Sequence, residues 1–373
     1  MGAVRVEYGV VNSLDGQVHV YWVDAITNKK ILGLTLDPGE DRFTYTYIGH
    51  QFEVYTDLPH ENKLDNEMIA QFTIENSGVI NFGIKPHGHL SKEDVDCKMK
   101  EAMDDEWQRQ LRVTRTFSPL GFEKGRLPDD VFASLASYYY NNRNPPNIAL
   151  EDWDLGQGIF VNFWETDVEF VYIPPGLADM WQSRLKDLVE KWVGMELETT
   201  DMYGMRVYTS GARLATHVDR VTTHAASLIV NIAQENVVKP WTVEIFDHAN
   251  RLHEIKMEPG DIVYYESAKA LHGRNTPLHG GKYINLFTHY RPMDDDLWYT
   301  RENPDGTPQP LLDVGECSLV GKSGQYSVGA VKCDNEAIGM HLSPVMFQAT
   351  GGEDLYHWWQ MTSPKEANVQ DEL

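Results

Sequence analysis

The sequence contains few cysteines, comparatively few basic residues and no long apolar run. Its 373 residues include three cysteines, Cys97, Cys317 and Cys333, whose odd number and wide spacing exclude a disulfide framework and a Cys-x-x-Cys zinc site. A reducing compartment is therefore expected. No stretch approaches the roughly 20 consecutive apolar residues that a transmembrane helix needs, so the sequence predicts no membrane span.

The deficit of basic residues bears on the partners. Acidic residues outnumber basic residues by 56 to 32, which gives a formal net charge of −24. A surface of this sign repels phosphate backbones and anionic lipids, so neither nucleic acid nor a membrane surface is expected as a partner. A neutral or basic polypeptide, or a small anion in a local basic pocket, is compatible with this charge.

The two ends of the sequence indicate where the protein resides. The first residues contain no apolar leader segment, so we expect a cytoplasmic protein. The last four residues, Gln370-Asp-Glu-Leu373, differ by one residue from the signal for retention in the endoplasmic reticulum. The lumen of that compartment is therefore the alternative, if a signal peptide precedes this sequence.

Apolar and aromatic residues are abundant enough for large packed cores. Hydrophobic residues make up 42% of the sequence, with 10 Trp, 18 Tyr and 13 Phe. At about 150 residues per domain, the length predicts two domains with additional segments. Residues 1–88 read as short strands, because Val18, Val20 and Trp22 alternate with polar or exposed positions and Pro38-Gly39 marks a turn. This region is predicted to be a small antiparallel β sandwich.

Three helices are predicted next. A linking helix is expected within 89–112, where Ser91 and Asp94 resemble a capping box. A second helix starts at Pro128, and a third starts at Pro175 and ends at Gly194, because proline favours the first turn of a helix and glycine the position after its end.

From about residue 203 the pattern returns to strands. Apolar runs at 227–232, 262–265 and 283–289 are separated by turn residues. Helices followed by many strands favour an α+β, mainly β domain over 113–300, in which helices buttress a sandwich or jelly roll. Residues 301–373 form a C-terminal extension in which no repeat or motif indicates a role.

Three residues in the strand region have the pattern of a metal site. His217 and Asp219 are two residues apart, so in extended chain both side chains project from one face and can bind one ion. His272, which follows a predicted strand, is the candidate third ligand. Two histidines and one carboxylate form the facial triad of non-haem Fe(II) oxygenases. The same ligands can also hold zinc with a bound water, so a hydrolase is an alternative.

Lys282, ten residues after His272, completes a pattern that resembles the prolyl 4-hydroxylase-like group of Fe(II)- and 2-oxoglutarate-dependent dioxygenases. The resemblance covers about 203–292 and implies a double-stranded β-helix, with Fe(II), 2-oxoglutarate and O2 as cofactors and ascorbate as an additional candidate. It implies that Lys282 pairs with the distal carboxylate of 2-oxoglutarate and that Tyr208 bonds the same carboxylate. The implied reaction is 4-hydroxylation of proline in a peptide or protein, with release of succinate and CO2.

Other polar residues lie near the motif in sequence. Arg274 is expected either to contact substrate or cosubstrate in the pocket or to form a structural ion pair. Arg220 and His224 are candidates for the entrance, although a solvated or hydrogen-bonded role is the simpler interpretation. Four further histidines have no ligand-like spacing to the triad and are interpreted as background: His248, His253, His279 and His289.

The N-terminal region has a resemblance of its own. Segments Val20–Val23, Leu36–Gly39 and Tyr47–Asp57 resemble the β domain of the von Hippel-Lindau tumour suppressor. That domain recognises hydroxyproline, and Tyr47 matches a tyrosine that contacts it. The resemblance implies that the N-terminal domain and the oxygenase domain bind the same proline-rich peptide, which is held while successive residues are modified. The competing interpretation is that Trp22 and Tyr47 belong to the core and surface of an ordinary sandwich.

Two alternatives for the whole chain stay open beside the hydrolase. One keeps the oxygenase chemistry but assigns it to a free amino acid or another small metabolite. The other is a catalytically silent protein whose N-terminal domain binds peptides. Lys282 argues against the hydrolase, because hydrolysis does not need an anchor for a carboxylate.

Overall fold

A computed structural model of the chain describes residues 4–12, 16–57, 66–75, 77–82, 92–145, 147–151, 159–307, 317–322, 329–333 and 347–363. The C-terminal Gln-Asp-Glu-Leu and the predicted boundary at residues 88 and 89 lie outside these ranges. None of the helices in the described part of the chain is both long and apolar enough to cross a membrane.

The N-terminal module consists of two sheets that share one core. Its strands are β1 (Arg5–Asn12), β2 (Val18–Val23), β3 (Lys30–Leu36), β4 (Asp41–Tyr47), β5 (Gln51–Asp57), β6 (Asn66–Thr73) and β7 (Gly78–Phe82). The sheet orders are β4-β1-β7 and β3-β2-β5-β6. Val10, Val20, Val54 and Ile80 pack together in the core between them. One pairing differs from the prediction: β7 runs parallel to β1, because the chain crosses from one sheet to the other between β6 and β7.

Three helices lie close to their predicted positions. They are α1 (Lys92–Leu111), α2 (Asp129–Asn142) and α3 (Pro175–Val193). Pro128 precedes α2, and Pro175 occupies the first turn of α3. Gly194 ends α3 with φ of 74°, and its N–H donates to the carbonyl of Glu190 at 2.8 Å. A left-handed residue at this point is favourable for glycine because it lacks a Cβ.

Two further sheets form a jelly roll. Its strands and their flanking strands are β8 (Phe122–Arg126), β9 (Ile148–Leu150), β10 (Val168–Val171), β11 (Leu197–Thr209), β12 (Leu214–His217), β13 (Ala226–Glu235), β14 (Val243–Phe246), β15 (Leu252–Ile255), β16 (Asp261–Tyr265), β17 (His272–Arg274) and β18 (Lys282–Pro292). The larger sheet has the order β8-β16-β13-β18-β11-β10-β9 and the smaller sheet the order β12-β17-β14-β15. From β11 to β18 the chain passes back and forth between two antiparallel sheets, with the hairpin β14-β15 in the smaller one, which is the jelly-roll arrangement. The predicted fold class, mainly β with buttressing helices, is confirmed.

The helices α2 and α3 cover the outer face of the larger sheet. Leu135 and Leu185 from these helices pack in one core with Val207, Val230 and Leu286 from the strands. The inner face of the same sheet is turned toward the smaller sheet. The functional cavity lies on this inner face.

The C-terminal extension returns to the jelly roll. A 3-10 helix (Trp298–Thr300) precedes the extension, whose described elements are β19 (Cys317–Lys322), β20 (Gly329–Cys333) and α4 (Gly352–Thr362). Met103 of α1 packs with Leu355 and Trp358 of α4 and with Ala215 and Val218 beside the end of β12. The predicted linking helix is therefore packed against the extension and the smaller sheet, rather than serving only as a connection.

The N-terminal module contacts the first turn of α3 and the residue that precedes β9. The N–H of Gly176 donates to Oε2 of Glu7 at 3.0 Å, and Oη of Tyr8 donates to Oδ1 of Asn147 at 3.2 Å. A carboxylate at the first turn of a helix is favourable because the helix dipole is positive there.

Candidate functional site

The two histidines of the sequence motif lie directly opposite each other on neighbouring strands. His217 ends β12 and pairs in register with His272, the first residue of β17. The Nδ1 atom of His217 lies 2.8 Å from the carbonyl of Ala215, and that of His272 lies 2.9 Å from the carbonyl of Ala270. Because a carbonyl only accepts, each Nδ1 carries the proton and each Nε2 keeps a free lone pair.

Asp219 completes the group from the segment after β12. Its N–H donates to the carbonyl of Ser267 at 2.8 Å, and its own carbonyl accepts from Nη2 of Arg109 at 2.9 Å. Its Oδ1 lies 3.7 Å from Nε2 of His217 and 3.9 Å from Nε2 of His272. Two donors on one metal can lie up to about 4.2 Å apart, twice a bond of about 2.1 Å. The three side chains therefore fit one divalent ion.

The protonation states suit a metal site. The pKa of His217 is lowered to about 4, mainly by burial and also by the neighbouring His272. Burial also lowers the pKa of His272. For Asp219, burial opposes ionisation, but the surrounding histidines outweigh it and hold the pKa of this carboxyl well below its usual range. At neutral pH the group thus offers two neutral imidazoles and one carboxylate, the forms that bind metal.

A cavity of about 360 Å³ opens beside these three residues. Aromatic side chains and arginines make up much of its wall. The aromatic residues are Phe160, Phe170, Tyr203, Tyr265 and Phe287, and the arginines are Arg109, Arg206, Arg220 and Arg274. The volume falls in the range of small-molecule sites, and the cationic wall favours an anionic ligand in an otherwise acidic protein.

Three of the four arginines are already paired with carboxylates. Arg206 forms two hydrogen bonds with Glu151, at 2.7 and 2.6 Å. Arg109 pairs with Glu106, and Arg220 pairs with Asp201 at 2.9 Å. Their charges are thus compensated within the protein.

Arg274 differs from the other three. It is 3% exposed, and its guanidinium lies between the rings of Trp241 and Tyr283, 4.4 and 4.5 Å from their centroids. It donates to the carbonyl of Trp241, but no carboxylate in the described part of the chain lies within ion-pair distance. A buried cation without a counter-ion is costly, so this position favours an anionic ligand.

Tyr283 adds a second unsatisfied group at this position. Its hydroxyl is buried and, apart from the neighbouring Arg274, has no hydrogen-bond partner among the described residues, so its proton has no acceptor there. Burial raises the pKa of Tyr283, although Arg274 opposes the shift, so the hydroxyl keeps its proton and can donate it. A ligand carboxylate would accept from both side chains. The residues present therefore fit a dicarboxylic cosubstrate such as 2-oxoglutarate.

Tyr208, predicted from the resemblance, lies in the same aromatic cluster. It pairs in register with Tyr283, and its ring lies 4.9 Å from that of Trp241. Its hydroxyl accepts from Nη1 of Arg206 at 3.3 Å. The structure thus brings Tyr208 of the larger sheet and Arg274 of the smaller sheet together around Trp241.

Lys282 is not brought to the cavity, contrary to the role that the resemblance implied. Side chains alternate along β18: Phe287 and His289 face the cavity, whereas Ile284 and Leu286 face the helices. Lys282 is two residues before Ile284, so its side chain lies on the same face as Ile284 and Leu286. Its Nζ pairs with Glu169. Its side chain is 37% exposed. A shift of one residue along the strand separates the face of Lys282 from the face that lines the cavity.

Two histidines that sequence reasoning did not assign to the metal group lie beside it: His289, interpreted as background, and His224, a candidate for the entrance. His289 has its Nδ1 3.7 Å from Oδ2 of Asp219, and His224 stacks on His289 with ring centroids 3.7 Å apart. Tyr265 donates to the same Oδ2 over 3.4 Å. The signal that could have identified His289 is its parity with Phe287 on a strand that crosses the cavity. The other background histidines lie elsewhere: His248 contacts Glu266, His253 contacts Asp247, and His279 is exposed.

Tyr47 lies at the end of β4 on the N-terminal module. It is 39% exposed, and its ring lies 5.4 Å from that of His50. The ring of Trp22 also packs against His50, with ring centroids 5.3 Å apart. These side chains form an accessible aromatic surface on the module.

No protein-family profile and no curated protein sequence matches the chain. Among solved structures, it is similar to a prolyl-4-hydroxylase from Pseudomonas putida, with 16% identity and a TM-score of 0.35 over 52% of this chain and 98% of the other. It is also similar to a prolyl hydroxylase from Trichoplax adhaerens, solved with a hypoxia-inducible-factor peptide, with 9% identity and a TM-score of 0.35 over 54% and 94% of the two chains.

A third similar structure is HygX from Streptomyces hygroscopicus, solved with nickel, 2-oxoglutarate and hygromycin B, with 13% identity and a TM-score of 0.34 over 47% of this chain and 84% of the other. At these TM-scores the likeness does not define the activity of this chain. The chemistry has to be inferred from the residues of the cavity.

Proposed function

We propose that this chain is an Fe(II)- and 2-oxoglutarate-dependent dioxygenase whose substrate is proline in a peptide or protein. The observation that supports it is the combination, in one cavity, of a two-histidine, one-carboxylate group with a buried arginine that has no carboxylate partner among the described residues. The overall reaction converts substrate C–H, 2-oxoglutarate and O2 into substrate C–OH, succinate and CO2.

His217, Asp219 and His272 hold the iron in this proposal. Three protein ligands leave three coordination positions for cosubstrate and dioxygen, and iron in such a setting supplies the activation of O2. The tautomers are fixed by the carbonyls of Ala215 and Ala270, so both Nε2 atoms are oriented before the ion arrives.

Arg274 and Tyr283, rather than Lys282, anchor the distal carboxylate of 2-oxoglutarate in this proposal. The guanidinium donates charge-assisted hydrogen bonds, and the Tyr283 hydroxyl donates its otherwise unused proton. Arg206 and Tyr208 border this position and hold its shape through their mutual hydrogen bond. Phe160, on the ring of His217 at 5.3 Å, helps to exclude water from the metal side.

The choice of peptidyl proline follows the sequence resemblance, and the mouth of the cavity is compatible with it. Tyr203 is 50% exposed there and offers a ring face to an apolar residue. Hydroxylation of a free amino acid or small metabolite is the alternative within the same chemistry.

The first experiment measures cosubstrate binding. Anaerobic addition of 2-oxoglutarate to Fe(II)-loaded protein should produce the visible charge-transfer band of a chelated keto acid, and His217→Ala should abolish it. Arg274→Gln should raise the Kd for 2-oxoglutarate about 10- to 100-fold, because charge-assisted hydrogen bonds contribute roughly 1.5–3 kcal/mol.

Lys282→Gln is the matched control, since Lys282 lies on the opposite face of β18 and should leave the Kd unchanged. Absence of the band in folded, iron-loaded wild type would overturn the proposed class. A Kd that rises in Lys282→Gln but not in Arg274→Gln would restore the original role of Lys282. Hydrolytic activity with zinc and without 2-oxoglutarate would favour the hydrolase instead.

The substrate is tested by supplying proline-rich peptides, free proline and small acids, and measuring succinate and product mass. Peptide hydroxylation with no turnover of the small molecules supports the proposal. Turnover of small molecules alone would replace the peptide by a metabolite, and no succinate with either would favour a silent binding protein.

We also propose that the aromatic surface around Tyr47 binds hydroxylated peptide. Tyr47→Ala in the full chain should weaken binding of a hydroxyproline peptide relative to its proline counterpart, measured by fluorescence anisotropy. Tyr45→Ala is the control, because Tyr45 is 59% exposed on the same strand but contacts Arg5 instead of His50. Equal affinities in wild type and Tyr47→Ala would remove this role.

A further inference from the structure

Strand β11 is irregular where it passes the mouth of the cavity. Three residues of β11 face two residues of β18 twice in succession, first from Thr199 to Met202 and then from Met202 to Met205. Such an extra residue is a β-bulge, and bulges beside active sites commonly re-aim a side chain. The second bulge contains Tyr203 and Gly204, and both residues line the cavity.

This bulge decides which way Tyr203 faces. In a regular strand Tyr203 would share the face of Met205, two residues later, and Met205 packs in the core beneath the helices. Met202 also packs against that core, although it lies three residues before Met205. Because one residue is inserted between the two methionines, Tyr203 lies on the cavity side instead.

The residue after Tyr203 has to be glycine. Gly204 has a φ of 140°, a backbone conformation that a residue with a Cβ rarely adopts. A Cβ there would lie 2.5 Å from Cζ of Phe170 and 3.0 Å from the carbonyl oxygen of Val171. Both of these residues belong to β10, the neighbour of β11 in the sheet. The close approach of β10 therefore fixes the shape of the bulge.

The side chain of Tyr203 is held in place as well. Its hydroxyl accepts a hydrogen bond from Arg220, which also pairs with Asp201 at 2.9 Å. Its ring packs edge-on against that of His289, with centroids 5.7 Å apart and an interplanar angle of 62°. Tyr203 is nevertheless 50% exposed. An immobilised aromatic ring is thus accessible at the mouth of the cavity, and little conformational entropy is lost when a ligand binds to it.

Tyr203 lies close to the proposed metal group. His289, against which Tyr203 packs, has its Nδ1 3.7 Å from Oδ2 of Asp219. The cavity of about 360 Å³ has to hold both the cosubstrate and the reacting residue, so the rest of a peptide lies outside it. A peptide residue next to the reacting one would therefore meet Tyr203.

We propose that Tyr203 forms a recognition subsite for a proline ring beside the reacting residue of an extended peptide. Proline-rich segments adopt an extended conformation without internal hydrogen bonds, and aromatic side chains recognise them. The ring of Tyr203 supplies the surface, and Arg220 with Asp201 keeps it in place. The subsite rests on the proposed oxygenase and specifies its substrates as peptides in which proline flanks the reacting residue.

Two peptides test the subsite. They differ only in the residues that flank a central proline, which are proline in one and alanine in the other. Binding is measured by fluorescence anisotropy on the full chain loaded with Mn²⁺ and 2-oxoglutarate. Wild type should bind the proline-flanked peptide about 10-fold more tightly. Tyr203→Ala should lose this preference, whereas Tyr203→Phe keeps the ring and should retain most of it.

Tyr140→Ala is the matched control, because Tyr140 is 48% exposed on α2 and contacts Arg143 instead of the cavity. Equal affinities of wild type for the two peptides would overturn the proposal, as would a preference that survives in Tyr203→Ala or is lost equally in Tyr140→Ala. A general loss of folding lowers both affinities, whereas their ratio isolates the flanking residue. The charge-transfer band of 2-oxoglutarate on Fe(II)-loaded wild type involves no peptide, so it tests the proposed oxygenase separately.

Discussion

One carboxylate oxygen of Asp219 faces His217 and His272, and the other faces His289. Its backbone is fixed by Ser267 and Arg109, so the side chain has little freedom to turn away. Burial of the histidines lowers their pKa values, and the histidines in turn keep the pKa of Asp219 low against the opposing effect of its own burial. The site is therefore formed in its metal-binding protonation state at neutral pH.

We expect the metal-free protein to lose stability as the pH falls from about 6.5 toward 4. The pKa of His217 is lowered by burial from 6.5 to about 4, so between these values the unfolded chain binds a proton that the folded protein does not. The free energy of unfolding should decrease by about 3 kcal/mol for His217 alone, at about 1.36 kcal/mol per pKa unit. Urea titrations followed by circular dichroism across this range measure it.

His217→Gln supplies the comparison, because glutamine does not titrate and the decrease should become shallower. Asp219 affects stability only at lower pH. Because its pKa is lower in the folded protein than the ordinary value of 3.8, its carboxylate stabilises the fold above about pH 3.8, and this contribution is lost as the pH falls below that value. An unfolding free energy that stays constant from about pH 7 to pH 4.5 would contradict the expected linkage.

At the scale of elements, β12 and β17 approach each other closely at Gly273. A Cβ at this position would lie 2.7 Å from the carbonyl oxygen of Leu214 and 3.0 Å from backbone atoms of Ala215 and Thr216. Both strands carry a metal-ligand histidine, so the distance between the two imidazoles depends on this backbone contact.

Gly273→Ala should therefore weaken metal binding by about 10-fold or more, in line with substitutions just outside metal ligands. The added methyl group has to push β12 away from β17, since all three neighbouring atoms belong to the backbone. Mn²⁺ affinity from equilibrium dialysis checks this. Gly351→Ala is the control, because its Cβ would meet nothing within 4 Å. Equal affinities in the two variants would show that the strand spacing does not set the ligand geometry.

The helix α1 is part of the site, although its sequence predicted a linker. Oε2 of Glu106 accepts from the N–H of Val218 at 2.7 Å, and Arg109 bonds the carbonyl of Asp219. Glu106 and Arg109 also pair with each other. The segment between the two proposed metal ligands is thus fixed from a helix more than a hundred residues earlier.

At the scale of the whole molecule, the helix α4 near the end of the chain is hydrogen-bonded to the smaller sheet. Nε1 of Trp358 donates to Oε2 of Glu244 at 2.9 Å. The same carboxylate oxygen accepts from Nδ2 of Asn275 at 2.6 Å, and Nδ2 also donates to Oγ1 of Thr216 at 2.9 Å. Thr216 directly precedes His217. The end of the described chain thereby supports the strand that carries the first metal ligand.

Trp358→Ala should lower the free energy of unfolding by about 3–5 kcal/mol, because Trp358 is 1% exposed and its removal leaves a cavity beside Glu244. Urea unfolding followed by far-UV circular dichroism measures the change. His357→Ala, on the exposed face of the same helix, should stay within about 0.5 kcal/mol of wild type. A Trp358→Ala protein as stable as His357→Ala would mean that α4 does not contribute to the core.

Much of the fold could be predicted because its signals are local. Alternation at Val18 and Val20, the prolines before α2 and α3, and Gly194 each act within a few residues, and the elements follow them. The tail gave no such signal: α4 is stabilised by contacts with α1 and β12, which lie far away in sequence.

The candidate site was predictable only in part. His217 and Asp219 share a face by their spacing alone, and the structure places His272 opposite them. The resemblance pointed to Lys282 as a carboxylate anchor, whereas the structure places Arg274 in the wall of the cavity, with Tyr283 packed against it. A shift of one residue along a strand moves a side chain to the other face, and a spacing rule does not resolve such a shift.

By itself, the sequence determined most of the elements before the C-terminal extension, the mainly β class and the spacing of the candidate metal ligands, because periodicity and short spacing dictate which side chains share a face. Only the tertiary structure decided that His224 and His289 meet Asp219, that α1 holds the segment between two ligands, and that Arg274 lacks a carboxylate partner in the described protein. These are distances between residues far apart in sequence, and they exist only after the sheets have packed face to face.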